Sequence, residues 1–371
     1  MRSLVKLLFV SFLVSDACVE SLEIDFSYLK PRLVVEGEIS NIPGPYEVKL
    51  FYTTPIDSPL LEPKYETGAI ITIVDEEGHN EPLYEVLPGI YRTDAGGGFK
   101  GQVGMTYHVK ITTASGEQLA STPHELKEEI PIESIGIEYE YDVIDEPGDT
   151  PYEPLDAMKV YAKPLIPISR RDHVRWRFHG TYQATTNPEL TAMWGVRGEL
   201  IGPPVPCSGW FPIGNRIFQL EPCTCCVCWA NEYNESVVLS DDIPGNTQNT
   251  GKVLIATLPI TGLRFSDRYY IEAQQISLSD ELYDFWKLVK AQQMSGENIF
   301  QPNSVKVRGN IKSLTNPDNE ILGVFSVAGI SSKVIEIFPA DIPTWIPPPD
   351  IVPNDCRQGL PYGTTQQPPY W

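Results

Sequence analysis

Six cysteines are the residues of this sequence whose type and spacing are most suited to chemistry. Four lie within a stretch of six residues, and the full set is Cys207, Cys223, Cys225, Cys226, Cys228 and Cys356. Closely spaced thiolates can bind Zn²⁺ or Cu⁺. The usual arrangement of two separated cysteine pairs is missing, however, and no histidine lies near the cluster. We therefore predict disulfides at these positions and no metal site.

The pairing of these six cysteines cannot be read from the sequence, because six cysteines allow fifteen connectivities. A bridge from Cys356 to the cluster would attach the proline-rich C-terminal segment to the body of the protein. In the chain-entropy treatment, closing a loop of that length contributes about 4 kcal/mol. A thiol-dependent or metal-dependent enzyme built on the cluster stays open as the less favoured alternative.

Motifs of the common catalytic machineries are missing from the sequence. It contains no Gly-x-Ser-x-Gly nucleophile elbow and no His-Glu-x-x-His metalloprotease motif. His173 and His179 are six residues apart and would share one face of a strand, but no carboxylate or cysteine is spaced to complete a zinc site with them. We predict a protein that is not an enzyme and needs no cofactor.

The N-terminus has the features of an export signal. The apolar segment Leu4–Val14 is shorter than the roughly 20 residues that span a bilayer, which is typical of a signal peptide. The residues that follow resemble a bacterial lipobox ending at Cys18. We predict a lipoprotein signal peptide over residues 1–17, lipidation of Cys18, and an acidic tether over residues 18–30 that resembles the surface-export signal of Bacteroidota lipoproteins. Plain secretion and a simple solvated linker are the alternatives.

The charge balance restricts the partners of the protein. The 371 residues include 28 lysines and arginines against 49 aspartates and glutamates, for a formal net charge of -21. Binding to nucleic acid or to anionic lipid headgroups requires a basic surface. We therefore expect no nucleic-acid partner, and we expect attachment to a membrane only through the lipid on Cys18.

The pattern of apolar residues and turn residues along the sequence predicts a mainly β protein. Short strands with Gly or Pro turns recur about every ten residues over 31–125, which is typical of an immunoglobulin-like or prealbumin-like β-sandwich. An acidic boundary precedes a larger β-rich domain over 132–338. That domain carries one amphipathic helix near 280–293, whose Phe285 and Trp286 belong to a single apolar face and are expected to pack in the core.

The last 33 residues differ in composition from the rest of the chain. Residues 339–371 contain nine prolines, including Pro347–Pro349. Proline removes backbone donors, so this tail is expected to be extended rather than a helix or a central strand. It either wraps around the body or projects from it.

Several segments together resemble one family, the Bacteroidota outer-membrane lipoproteins known as domain of unknown function 4249. They are PRLVVEGEISNIPGPYEVKL, GAIITIVDEEGHNEPLYEVLPGIYRT, GQVGMTYHVKITTASGEQLASTP, SLSDELYDFWKLVKAQQ and LGVFSVAGISSK. Within the fourth segment, the stretch from Ser277 to Trp286 is the most specific. The family is similar to proteins encoded beside TonB-dependent receptors, and it carries no established catalytic residues.

The resemblance implies a surface-exposed outer-membrane lipoprotein that serves a TonB-dependent transporter by capturing cargo or capping the transporter. An adhesin or structural envelope protein is the alternative. Aromatic side chains are enriched at protein interfaces. Four aromatic residues of the tail are therefore candidate partner contacts: Trp345, Tyr362, Tyr370 and Trp371. The other possibility is that the tail folds onto its own protein.

Overall fold

A computed structural model describes residues 31–54, 64–144, 155–169, 171–243, 251–296 and 306–371. The predicted signal peptide, Cys18 and the acidic tether lie outside these residues. The fold is mainly β, as predicted, with two β-sandwich-like bodies and few helices. Among the helices that the structure describes, none is both long and apolar enough to cross a membrane.

The first sandwich is built largely from the N-terminal strands. They are β1 (Leu33–Ser40), β2 (Glu47–Tyr52), β3 (Ile70–Asp75), β4 (Asn80–Leu87), β5 (Ile90–Arg92), β6 (Thr106–Thr112), β7 (Gln118–Ser121) and β8 (His124–Glu125). Strand β4 pairs through its first half with β3 and through its second half with β5, so it passes from one layer to the other. Alternate side chains such as Val48, Leu50, Ile71 and Ile73 fill the space between the layers.

In the second sandwich, a longer sheet packs against a shorter one. Its strands are β9 (Ile132–Ile144), β10 (Leu155–Pro164), β11 (Val174–Thr185), β16 (Val227–Tyr233), β18 (Val253–Pro259), β19 (Tyr269–Ser277) and β21 (Leu322–Ile337). Between β11 and β18 the chain also forms β12 (Met193–Trp194), β13 (Leu200–Gly202), β14 (Trp210–Ile213), β15 (Arg216–Gln219) and β17 (Val238–Leu239). The sheet with the strand order β16-β11-β19-β21 packs against the three-stranded sheet β18-β10-β9.

The outward side of the β16-β11-β19-β21 sheet, opposite this second core, is called the outer face below. It carries Arg177, His179, Tyr233, Glu272 and Gln274 among other polar residues, because successive side chains of a strand point to opposite sides. The inward side carries the apolar partners, such as Phe178 and Ala273.

Strand β21 belongs to both sandwiches. Residues up to Ala328 pair in parallel with β1, and residues from Gly329 onward pair antiparallel with β19. Strand β20 (Ile311–Ser313) likewise pairs with β7 of the first sandwich. The predicted division at residues 125–132 assigns both segments to the second domain, whereas their hydrogen bonds close the first. Parallel and long-range pairings leave no local signal in the sequence.

Glycine at position 329 is required where β21 passes between the sandwiches. A Cβ atom placed there would overlap the backbone of Lys127 and Glu129. We expect Gly329→Ala to lower the free energy of unfolding by about 1–3 kcal/mol, the usual cost of overpacking, as measured by urea denaturation. Gly136→Ala is the matched control in β9, because nothing lies within 4 Å of its added Cβ. Equal stability of the two variants would contradict the close approach.

The described residues form one long α-helix, α2 (Asp280–Gly296), and two α-helices of a single turn, α1 (Gly262–Phe265) and α3 (Cys356–Gly359). Helix α2 begins at the predicted residue and ends three residues later than predicted. Its Leu282 and Tyr283 are buried, and Phe285 and Trp286 pack against the core of the first sandwich. The two aromatic residues therefore pack in a core, as expected. The core that they contact is that of the first sandwich, although the helix was assigned to the second domain.

The N-terminal end of helix α2 contacts a buried histidine of the first sandwich. Both ring nitrogens of His124 are engaged by hydroxyls, Nε2 with Thr122 at 2.9 Å and Nδ1 with Ser279 at 3.1 Å, and the Glu281 carboxylate lies 3.7 Å away. Burial lowers the pKa of His124, and the nearby Glu281 opposes this effect only partly. The neutral ring therefore joins β8 to helix α2.

The lowered pKa of His124 predicts a loss of stability in mild acid. Above pH 6.5 the ring is neutral in both folded and unfolded chains, and below it the unfolded chain binds the proton first, so stability falls as pH falls. The loss is at most about 1.4 kcal/mol per pH unit. Urea denaturation at pH 7.5 and 5.5 should show a smaller loss for His124→Gln than for the natural protein. His79→Gln is the control, because the pKa of the exposed His79 is raised by Asp75.

Candidate binding surface on the second sandwich

The six cysteines form three disulfides: Cys207–Cys225, Cys223–Cys226 and Cys228–Cys356. The Cα–Cα distances are 5.6, 5.7 and 6.0 Å, within the range that disulfides require. Among the residues that the structure describes, only Cys207, Cys225 and Asp355 have the mutual spacing of metal ligands. The two sulfurs of that group are already bonded to each other, and Asp355 is paired with Arg357, which lowers the pKa of the carboxyl group.

The buried Cys228–Cys356 bond attaches the tail to strand β16. Cys356 starts helix α3 after Asp355, whose side chain accepts a hydrogen bond from the Arg357 backbone. The tail also forms a 3₁₀ turn at Pro339–Asp341 and is otherwise largely extended within the described residues 339–371. Tail side chains contribute to the second core: Ile342, Val352 and Leu360. The tail thus wraps around the body.

Beyond helix α3 the tail runs along the edge of β16 and then across the outer face. Trp229 and Thr364 exchange two backbone hydrogen bonds of 2.9 and 3.0 Å, and the Asn231 N–H donates to the carbonyl of Pro361. These bonds satisfy backbone groups that an edge strand would otherwise leave exposed. The path also places the last residues of the chain over β11 and β19.

Three of the four predicted contact residues come together on the outer face. The Tyr370 ring stacks on Tyr270 with centroids 4.2 Å apart, and its hydroxyl lies 3.0 Å from Oγ1 of Thr181. The Trp371 ring lies 4.2 Å from the guanidinium of Arg268. Tyr362 places its ring edge-on to Tyr233 at 5.3 Å.

Trp345 is not part of this group. Its side chain is 74% exposed. Within the described residues 306–371, it makes no ring contact with the other three tail aromatics. Tyr362 is also 74% exposed, whereas Tyr370 is 37% exposed. The tail therefore both folds onto the protein and leaves aromatic surface in contact with solvent.

A polar cleft lies beside these aromatic residues, and the sequence did not reveal it. It has a volume of about 230 Å³ and is lined by Arg177, His179, Tyr233, Glu272 and Gln274. His179 was singled out in the sequence only as half of a weak histidine pair. In the structure it stacks on Tyr233 at 5.1 Å, while His173 pairs with Asp280 at 2.9 Å near helix α2. The two histidines thus serve different contacts.

Hydrogen bonds fix the side chains of the cleft. Arg177 donates from Nε to Gln274 at 2.7 Å and from its terminal nitrogens to both oxygens of Glu38 at 2.8 and 3.4 Å. Gln274 donates to Oε1 of Glu272 at 2.9 Å, and Ser332 donates to the same oxygen at 2.6 Å. Such a network orients polar groups in advance, so little side-chain freedom is lost when a ligand binds.

Two titratable side chains with shifted pKa values lie on this surface. Burial raises the pKa of Tyr233, assisted by the neighbouring Tyr370 and Tyr362, so its phenol stays protonated at neutral pH. Arg175, two residues before Arg177 on β11, is largely buried, and burial lowers its pKa to about 10. It remains charged at neutral pH, with its guanidinium 3.5 Å from the ring of Trp286.

The fold and this surface define a disulfide-bonded, mainly β protein with its tail fixed across one sheet. Residues 19–334 match the family described as Domain of unknown function (DUF4249). The match covers well over half of the chain, so the protein belongs to this family, as its sequence predicted. No curated protein matches the chain. Because the family description assigns no activity, function has to be argued from the surface itself.

Proposed function

We propose that this protein is a surface-exposed outer-membrane lipoprotein of the Bacteroidota type that binds rather than catalyses. In this proposal it is the accessory partner of a TonB-dependent transporter, for which it captures cargo or caps the opening. The observation that carries the proposal is the outer face, where a disulfide-held tail presents Tyr362, Tyr370 and Trp371 beside a polar cleft.

An ordered aromatic surface suits binding for two reasons. Aromatic side chains bury a large area with few rotatable bonds, and they are enriched where proteins meet. The tail backbone is already held by the Cys228–Cys356 bond and by its hydrogen bonds to β16, so little backbone ordering is needed on association. The exposed ring of Tyr362 is the part of this surface most available to a partner.

A lipid on Cys18 would complete the arrangement. Fifteen residue steps separate Cys18 from Leu33, the first residue of β1, so the link can reach at most about 50 Å when fully extended. A body confined so close to the membrane meets membrane proteins at a raised effective concentration, and even a weak interface is then occupied. The acidic residues after Cys18, which resemble a surface-export signal, support localisation at the cell exterior.

Affinity purification tests the partnership. An affinity tag placed in the exposed turn at Ser115 and Gly116 leaves the tail untouched. Purification from detergent-solubilised outer membranes should recover a TonB-dependent receptor, and Cys18→Ala should move the protein to the soluble fraction and lose the receptor. Recovery of the intact lipoprotein with no receptor contradicts the proposal. Loss of surface attachment on gene deletion, with nutrient uptake unchanged, would instead support an adhesin.

A further inference from the structure

We infer that the cleft lined by Arg177, His179, Tyr233, Glu272 and Gln274 binds one ring of a neutral sugar. The inference deepens the cargo half of the proposed function and rests on it, because it names the chemical class of what the outer face captures. Four features carry it: the boundaries of the cleft, its unused hydrogen-bonding capacity, its aromatic wall and its charge.

The cleft lies between two covered parts of the outer face. On one side helix α2 places Trp286 over Arg175 of β11. On the other side the tail places Tyr370 over Tyr270 of β19. The volume of about 230 Å³ is below the roughly 300–1,000 Å³ typical of sites for drug-sized molecules. A single ring of a longer chain fits such a space, with the rest of the chain outside.

The polar groups of the cleft keep capacity for a ligand. A guanidinium has five N–H donors, and the Arg177 bonds to Gln274 and Glu38 use three of them. Oε1 of Glu272 accepts two bonds, while Oε2 accepts none from the residues that the structure describes. Adjacent donor and acceptor groups held in fixed positions match the vicinal hydroxyls of a sugar, each of which both donates and accepts.

An aromatic ring forms one wall of the cleft. Tyr233 is 51% exposed even though one face of its ring stacks on His179. The C–H groups on one side of a pyranose ring form an apolar patch that packs on an aromatic face, and the hydroxyls then point sideways to the polar groups. Tyr233 adjoins Tyr362 of the tail, so the aromatic surface extends beyond the cleft itself.

The charges around the cleft do not favour an anionic ligand. Arg177 is already paired with Glu38 at 2.8 Å, and the guanidinium of the neighbouring Arg175 is covered by the ring of Trp286, so neither cation is free for an anion. A phosphate or carboxylate placed there would face the unpaired charge of Glu272. Within the described part of the chain, the one group with metal-ligand spacing lies elsewhere, at Cys207, Cys225 and Asp355. A neutral polyol satisfies the groups that remain.

Saturation-transfer NMR on the full chain tests the inference. The probes are free glucose, galactose, mannose and N-acetylglucosamine, with propylamine as the cationic comparison. We expect saturation transfer to at least one sugar, and about tenfold weaker binding for Tyr233→Ala and for Glu272→Gln. Tyr84→Ala, which removes a tyrosine that is 60% exposed on the first sandwich, should bind like the natural protein.

Three outcomes overturn the inference: transfer to none of the sugars, transfer to propylamine alone, or sugar binding that survives both cleft substitutions. The same two variants are taken through the receptor purification described above. If the receptor is recovered but no sugar binds, only the assignment of the cleft to a sugar is wrong. If a sugar binds but no receptor is recovered, the transporter partnership is wrong and the sugar site stands.

Discussion

Replacing Cys228 and Cys356 together with serine is expected to lower the free energy of unfolding by about 5 kcal/mol. The bond spans 128 residues of sequence, and in the chain-entropy treatment the stabilisation grows with the length of the closed loop. Both sulfurs are also fully buried, so the serine hydroxyls would need partners that the apolar surroundings do not supply. Urea denaturation under non-reducing conditions measures the change.

The bond between Cys223 and Cys226 provides the matched control. It spans three residues, so the same treatment gives only about 1.5 kcal/mol for its removal. Limited proteolysis supplies a second comparison, because loss of the Cys228–Cys356 bond should expose the tail to cleavage while loss of the short-range bond should not. Equal destabilisation of the two double variants, with the tail protected in each, would contradict the role assigned to the long-range bond.

Substituting Trp286 with alanine is the second change with a large expected effect, about 3–5 kcal/mol of unfolding free energy. The indole packs against the first core and covers the Arg175 guanidinium at 3.5 Å. Its loss therefore leaves a cavity and also a buried cation without its aromatic partner. Thermal and urea denaturation should both register the change.

The control for Trp286→Ala lies on the same helix. Leu288 is 39% exposed, so Leu288→Ala removes a large apolar side chain of helix α2 without opening the core, and less than about 1 kcal/mol is expected. A double-mutant cycle with Arg175→Met isolates the coupling between Arg175 and Trp286. Additive effects of the two substitutions would show that the cation and the ring do not stabilise each other.

Elements that local patterns determine were predictable from the sequence. Strand β6 (Thr106–Thr112) is one of the short strands predicted over 31–125, and helix α2 begins at the predicted Asp280. Alternation of apolar residues defines a strand that is buried on one side, and an acidic first turn with a single apolar face defines a helix. Membership of the family was also predictable, because its segments are distributed over most of the chain.

Features that depend on pairing across the chain were not predictable. The apolar run within LGVFSVAGISSK indicates strand β21 but not its two partners, β1 and β19. The disulfide map had fifteen possibilities, and the fold selects one by bringing particular Cα atoms to about 6 Å. Pairing of this kind is set by the packing of whole layers rather than by neighbouring residues.

The cleft could not be predicted from the sequence for a related reason. Arg177, Tyr233 and Glu272 are separated by dozens of residues and meet only because β16, β11 and β19 are adjacent in one sheet. In the sequence each is one more polar residue in the alternation of a strand, which also describes an ordinary solvent-facing side. The tail aromatics, in contrast, are predictable as contact residues, because they lie in a proline-rich segment that cannot be a central strand or a helix.

Photo-crosslinking in intact cells tests the central claim, that the outer face with its fixed tail is the binding surface of the protein. A photoreactive phenylalanine analogue replaces Tyr362 on the tail in one variant and Tyr84 on the first sandwich in the other. Both positions are exposed, at 74% and 60%. The account predicts a crosslinked adduct with a TonB-dependent receptor from position 362 and none from position 84. An adduct from position 84 with none from position 362 would contradict it.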